Sequence, residues 1–260
     1  MSFLQINQSI PDLRPDVLFN IGGFPVTNTM TLTWLIVGII IVFGVILRKF
    51  IQLEAKSKLQ LMMEMAIEGM IGMLDQITQN TKKSKKMLPI IGSVFLFFVL
   101  TNVITLLPGF TSIMIGESPL FRVPTTDLNM TLAIAVTMIG LTQIVSMKSN
   151  GVLNHIGEYI QLKKIYLGFK EGIGQGFLAI INFAMGLLDI VGEFAKIISL
   201  SLRLFGNMFA GEVLMVVMMS FSAFVAPSIL MAQTLLVGLL QAMVFSILSA
   251  VYLNLAFDNN

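Results

Sequence analysis

Apolar residues gather into five runs along this chain, separated by shorter polar stretches. A membrane-crossing helix needs about 20 mostly apolar residues. Thr31–Leu47 is the first such run, closed by Arg48 and Lys49. Leu88–Leu107 follows a lysine-rich stretch and stops at Pro108-Gly109, and Leu128–Met147 follows the turn-like Val123-Pro-Thr-Thr-Asp127. The last two, Phe177–Phe221 and Ser228–Phe257, are too long for one perpendicular crossing. They predict steeply tilted helices, or helices that follow a curved neighbour. Between the first two runs, Gln52–Gln79 sets Glu54, Lys56, Lys58, Glu64, Glu68 and Asp75 among leucines, isoleucines and methionines. That mixture predicts an amphipathic helix on the membrane surface or against a partner. Lys148–Gly176 is similar but less regular. Residues 1–30 form a polar leading segment with Asp12, Arg14 and Asp16, unlike a cleaved signal peptide.

Composition agrees with the pattern. Apolar residues make up 56% of the 260, and 12% are charged; ordinary soluble domains carry about 25% charged residues. A soluble globule with so few charges could not cover its surface, and the mean hydropathy of +0.89 points the same way. The expected fold is an all-α integral membrane protein with five crossings, one membrane domain over 1–260, and no internal repeat. The missing repeat weighs against the inverted-repeat transporters. A net charge of +2 argues against nucleic-acid binding. No cysteine and a single histidine, His155, exclude thiolate sites and His-rich metal centres, and make a Ser-His-Asp hydrolase improbable. No cofactor is expected.

Basic residues set the expected orientation. Eight Lys or Arg lie in Arg48–Met87 (48, 49, 56, 58, 82, 83, 85, 86), four in Lys148–Gly176, and only Arg122 in Pro108–Asp127. By the positive-inside rule the two basic loops are cytoplasmic, the N-terminus outside and the C-terminus inside.

The long fourth run contains charges that an apolar helix should not carry: Asp189, Glu193, Lys196, Arg203 and Glu212. Each costs about 2.5–3.5 kcal/mol at the bilayer centre even on the lenient insertion scale. At about 100° per residue, Asp189, Glu193, Lys196, Arg203 and Asn207 fall on a stripe roughly 80° wide. Glu212 lies on a different side, about 13 Å beyond Arg203. Glu193 and Lys196, at i and i+3, can be a structural ion pair or part of a pathway. Arg203 has no acid at i±3 or i±4 and cannot lose its proton, so it requires a partner from another helix or another chain. In the last run, Thr234, Gln241 and Tyr252 lie within roughly 40° of one another. Gln241 either holds helices together or lines a water-filled path. The Glu171–Gly176 stretch follows no strand and is too irregular for a phosphate loop.

Ser199-Leu-Ser-Leu-Arg-Leu-Phe-Gly-Asn-Met-Phe-Ala-Gly-Glu212 closely resembles the signature of subunit a of rotary F-type ATP synthases. Val26–Met30, Leu106-Leu-Pro108, Phe121–Asn129, Gln241-Ala242 and Val251-Tyr-Leu253 resemble further landmarks of that family, so the resemblance covers effectively the whole chain. It implies a non-catalytic stator beside a ring of c subunits, with b subunits of the peripheral stalk and other ATP synthase subunits as partners in the bilayer. Two offset half-channels would carry H⁺ or Na⁺ to and from the ring. Arg203 matches the essential arginine between them and Asn207 the asparagine one turn later. Glu212 matches the acid of the outer half-channel, Gln241 the glutamine facing the arginine, and Asp189 and Lys196 positions charged in relatives. Thr234 departs from the pattern, because relatives often carry histidine or glutamate there. Glu212 gives the chain a bacterial look, and so a plasma-membrane location, with an organellar energy-transducing membrane as the alternative. Two other readings remain open on residues alone: a self-contained transporter using Asp189, Arg203 and Glu212, and an assembly factor whose buried charges only pair helices.

Overall fold

A computed structural model describes residues 14–50, 58–105, 113–115, 118–151, 173–221 and 225–258. Six long helices dominate it: α1 (Asn28–Phe50), α2 (Lys58–Thr78), α3 (Thr81–Thr105), α4 (Leu128–Asn150), α5 (Ile173–Phe221) and α6 (Val225–Asp258). All but α2 contain a stretch long and apolar enough to cross a membrane, giving five candidate spans among the described residues. The protein is a multi-pass, all-α membrane protein. The apolar stretch of α5 runs for 43 residues, about 65 Å at 1.5 Å per residue against a hydrocarbon core of about 30 Å. A straight helix of that length fits only when tilted by roughly 60°.

Helix boundaries follow local chemistry. Asp127 caps α4, its side chain accepting from the Asn129 amide at 2.9 Å, and Gly151 ends it at φ +80°. Asn80 Oδ1 accepts from the Lys82 amide at 3.0 Å, so α3 begins at Thr81 and takes the lysine cluster into its first turns. That start lies seven residues before the apolar run itself, because the cap rather than hydropathy starts a helix. The α2–α3 turn is pinned by a 2.7 Å hydrogen bond between the Thr78 and Ser84 hydroxyls. Within the expected amphipathic segment Gln52–Gln79, residues 52–57 lie outside the described residues and the rest is helical to Thr78. The stripe holding Leu74 and Ile77 packs against α3 and α6, so this helix finds part of its cover inside its own chain. Leu61, Met62, Met65 and Ile67 stay exposed.

The leading segment contains structure that its polarity did not announce. A β-hairpin pairs β1 (Val17–Ile21) with β2 (Phe24–Thr27) through Gly22 and Gly23, both at positive φ as a two-residue turn of this kind requires. β2 runs directly into α1. Beside the hairpin lie a second small one, Met114–Ile115 with Ser118–Pro119, and a 3₁₀ turn at Pro124–Thr126. Together they cap one end of the bundle, called here the hairpin end; the α2–α3 turn marks the opposite end.

The core fills the space between α3, α4, α5 and α6. Phe98 and Phe245 meet edge-to-face at 4.9 Å, and Leu200, Leu204, Ala242 and Leu253 are buried around them. Burial is uneven. Thirty-nine per cent of the most apolar stretch of α6 is covered, against 11% for α5. Most of α5 therefore faces away from its own chain.

Candidate ion pathway

α5 and α6 run antiparallel, and four contacts fix their register. Starting at the hairpin end, Gly211 lies against Thr234, Met208 against Gly238, Asn207 against Gln241 and Lys196 against Tyr252. One helix ascends as the other descends, with no slip. Gly238 permits the close approach: a Cβ there would lie 2.7 Å from Met208 Cε and 2.8 Å from Asn102 Nδ2. This contact brings the buried Asn102 of α3 to the same seam.

The inward side of α5 is formed by Leu200, Ser201, Leu204 and Met208, all buried. The polar stripe runs along one edge of that side, its centre about 70° away round the helix. Asp189, Arg203 and Asn207 are exposed, and Glu193 and Lys196 are half-buried. Arg203 Nη2 donates to Ser199 Oγ at 3.4 Å, its only hydrogen bond, and no acid pairs with it among the described residues. Round the helix from it, Leu188, Val191, Phe194, Ile198 and Leu202 are more than half exposed, Leu188 lying about 60° from Arg203. An untitratable cation thus stands exposed at the edge of an uncovered apolar face.

Toward the α2–α3 end, Glu193 and Lys196 form an ion pair at 2.6 Å, and the Lys196 ammonium sits 5.1 Å from the centre of the Tyr252 ring. The pair therefore also ties α5 to α6. Beside Arg203, Asn207 Nδ2 donates to Gln241 Oε1 at 3.0 Å. Gln241 is buried and is bound to the asparagine one turn beyond the arginine, rather than to the arginine itself. Its Nε2 has no hydrogen-bond partner among the described residues.

Toward the hairpin end, Glu212 leaves the polar stripe and turns inward. The 3₁₀ turn at Pro124–Thr126 packs on α5, its Thr126 hydroxyl donating to the Val123 carbonyl at 3.0 Å. Glu212 Oε2 is buried without a hydrogen-bond partner among the described residues. Thr234 lies level with Glu212, its Oγ1 3.3 Å from where a Cβ on Gly211 would stand. Residues 212 and 234 therefore lie at about the same depth along the two helices. Residue patterns alone did not identify Arg122, Thr126, Asn102 or Gly238. The one available signal was Arg122 as the lone basic residue of its loop.

Among the described residues no group of three His, Asp or Glu converges as a metal site. The small cavity of about 30 Å³ between α2, α3 and α6 is lined by Met70, Leu74, Ile91, Phe95 and Met243, and is apolar.

Residues 30–254 match the ATP synthase A chain family. The chain belongs to that family. It is 30% identical over 243 residues to ATP synthase subunit a of Moorella thermoacetica, covering 93% of this chain and 95% of the relative. With ATP synthase subunit a of Geotalea daltonii it shares 30% identity over 226 residues, covering 87% and 86%. With ATP synthase subunit a 2 of Acaryochloris marina it shares 25% over 244 residues, covering 93% and 91%.

Proposed function

We propose that this chain is the stator of the Fo ion channel, carrying H⁺ or Na⁺ through two offset half-channels to and from a rotating ring of c subunits. It is not itself catalytic. The observation that carries the reading is Arg203 exposed at the edge of an uncovered apolar face, paired with no acid among the described residues. A permanent cation in hydrocarbon is stable only when a partner brings the counter-charge. The face has the chemistry to receive a helix bearing a membrane carboxylate.

Titratable and polar groups flank Arg203 on both sides and at different depths. Glu212 lies nine residues toward the hairpin end and Asp189 fourteen toward the other, about 13 and 21 Å of helix. Glu212 and Thr234 line the outer half-channel; Asp189, Glu193, Lys196 and Tyr252 border the inner one. Asn207 and Gln241 hold α5 to α6 beside the arginine. An ion entering near Glu212 passes to a ring carboxylate, travels with the ring and leaves on the inner side. Arg203 favours the ionised carboxylate as it passes, because an opposite charge stabilises the charged form. The same charge repels ions that would slip straight across. Every charge that leaks forfeits about 2.3 kcal/mol per 100 mV. The hairpin end faces outside and the α2–α3 end the cytoplasm of a bacterial plasma membrane, with b subunits of the peripheral stalk against the remaining exposed helices.

The test uses the assembled synthase in inverted vesicles. Arg203→Ala is expected to abolish ATP-driven pumping while the complex still assembles and hydrolyses ATP in its soluble head. Normal pumping by that variant rejects the reading. Transport by this chain reconstituted alone would favour a self-contained transporter instead. Sodium dependence of ATP hydrolysis by the whole complex separates Na⁺ from H⁺.

A further inference from the structure

Lys82, Lys83, Lys85 and Lys86 open α3, with no acid in its first turn. At about 100° per residue they fan over an arc of roughly 160°. Ser84 and Met87, both fully buried, face the bundle from the remaining arc. The α2–α3 turn fixes that rotation: the Thr78 and Ser84 hydroxyls meet at 2.7 Å, and Thr81 Oγ1 donates to Asp75 Oδ2 at 3.2 Å. Lys82, Lys85 and Lys86 are exposed, and none of the three has an acidic partner among the described residues. Positive charge at a helix start opposes the helix dipole. The patch therefore carries a local cost that these described neighbours do not offset.

Its depth says what kind of counter-charge it meets. Leu88, where the apolar run of α3 begins, lies two residues past Lys86. The four lysines thus stand within about 3–9 Å of helix from the hydrocarbon edge, inside a headgroup layer about 5–8 Å thick. Beneath them the surface turns apolar. α2 and α3 close on each other at Gly92, where a Cβ would stand 3.5 Å from Met70 Cε. The apolar cavity between α2, α3 and α6 lies at this level, and Met70, Met73 and Phe95 in its lining are only half-buried. Leu61, Met62 and Met65 extend the exposed apolar surface along α2.

We propose that Lys82, Lys83, Lys85 and Lys86 form a binding site for the headgroup of an anionic phospholipid, whose acyl chains lie against the apolar surface of α2 and α3. A lipid with net negative charge supplies both halves of this complementarity at the right depth. Phosphatidylcholine carries the same phosphate but brings its own cation beside it. The bound lipid braces the α2–α3 turn, whose Leu74 and Ile77 pack into the bundle core. The inference stands on α3 crossing the membrane and is independent of the ion-pathway reading.

The test places the whole synthase in phosphatidylcholine vesicles doped with phosphatidylglycerol that carries a photoactivatable group high on one acyl chain. A phosphatidylcholine probe with the group at the same position is the comparison. Cross-links on residues 58–105 are counted by mass spectrometry against those on α1. Wild type is expected to take up the anionic probe about tenfold more than the zwitterionic one, several lysines acting together while salt screens part of their pull. Lys82→Arg, Lys85→Arg and Lys86→Arg combined should keep that preference; the three changes to Gln should abolish it. Equal labelling of wild type by the two probes, or an unchanged preference in the Gln variant, overturns the proposal. Loss of another synthase subunit from the Gln variant in either lipid also overturns it, because the lysines then serve an acidic protein. If the triple Gln variant does not assemble, Lys82→Gln and Lys86→Gln are measured singly, each expected to lower the preference about twofold; no change in either overturns the site.

Discussion

At the scale of single residues, the side chains that matter differ in how they meet water and their own chain. Arg203 is exposed at the edge of an apolar face, whereas Glu212 is half-buried at the hairpin end with Oε2 enclosed. Arg203→Lys is expected to pump poorly, because lysine offers a compact, titratable charge in place of a planar, permanent one. Proton uptake into inverted vesicles, normalised to assembled complex, measures this. Glu212→Gln is expected to cripple transport, since Thr234 can orient water but cannot hold a charge. Thr234→Glu in that background should return part of the flux, because residue 234 lies beside Gly211 and therefore level with 212. No recovery would mean that the carboxylate must approach from α5. The charged stripe and the depth of Glu212 were legible in the sequence, because helical periodicity is a local property. That one oxygen of Glu212 is enclosed was not, because it depends on how segments distant in sequence pack against α5, which no spacing rule encodes. Likewise Gln241 proved to bind Asn207, a choice made by rotamers across two helices.

Among elements, existence was far easier to read than packing. All five apolar runs are helices, because a long apolar sequence in lipid must satisfy its backbone internally. Caps moved their ends: α3 gains a lysine-bearing first turn at Asn80, and α1 begins at Asn28, where β2 ends. The hairpin itself was missed, since four or five residues of strand leave little periodicity and its Gly22-Gly23 turn was the only clue. The close approach of α6 to α5 and α3 was also illegible, because a single glycine in an apolar run looks like any other small residue. Gly238 makes a direct prediction. A valine there meets Met208 and Asn102 at distances no Cβ tolerates, so those side chains or α6 itself must shift. Overpacking of this kind costs about 1–3 kcal/mol, and thermal unfolding of the purified complex should register it. Pumping should fall as well, because Asn207 and Gln241 lie one turn away. An unchanged melting temperature with full pumping would show that the seam is softer than its distances suggest.

For the whole molecule, charge and shape point to one orientation. The stretch from Arg48 to Met87 holds eight basic residues, and Lys82, Lys83, Lys85 and Lys86 crowd the start of α3. At the hairpin end the basic residues among those described are Arg14 and Arg122, and Arg122 is buried with its guanidinium bound to a carbonyl. It is committed to the fold and cannot anchor that end in the cytoplasm. The asymmetry in free positive charge is therefore larger than residue counts suggest, and the hairpin end is expected outside. The absence of cysteine from the chain makes this directly measurable without background from native thiols. Asn20→Cys places a thiol on the exposed β1 strand, and Lys82→Cys one on the exposed first turn of α3. In intact cells a membrane-impermeant maleimide should label residue 20 and spare residue 82; in inverted vesicles the pattern should reverse. Labelling of Lys82→Cys from outside would place Glu212 on the cytoplasmic side and exchange the two half-channels. Arg203 would keep its place between them, because its separation from Glu212 and Asp189 is built into one continuous helix.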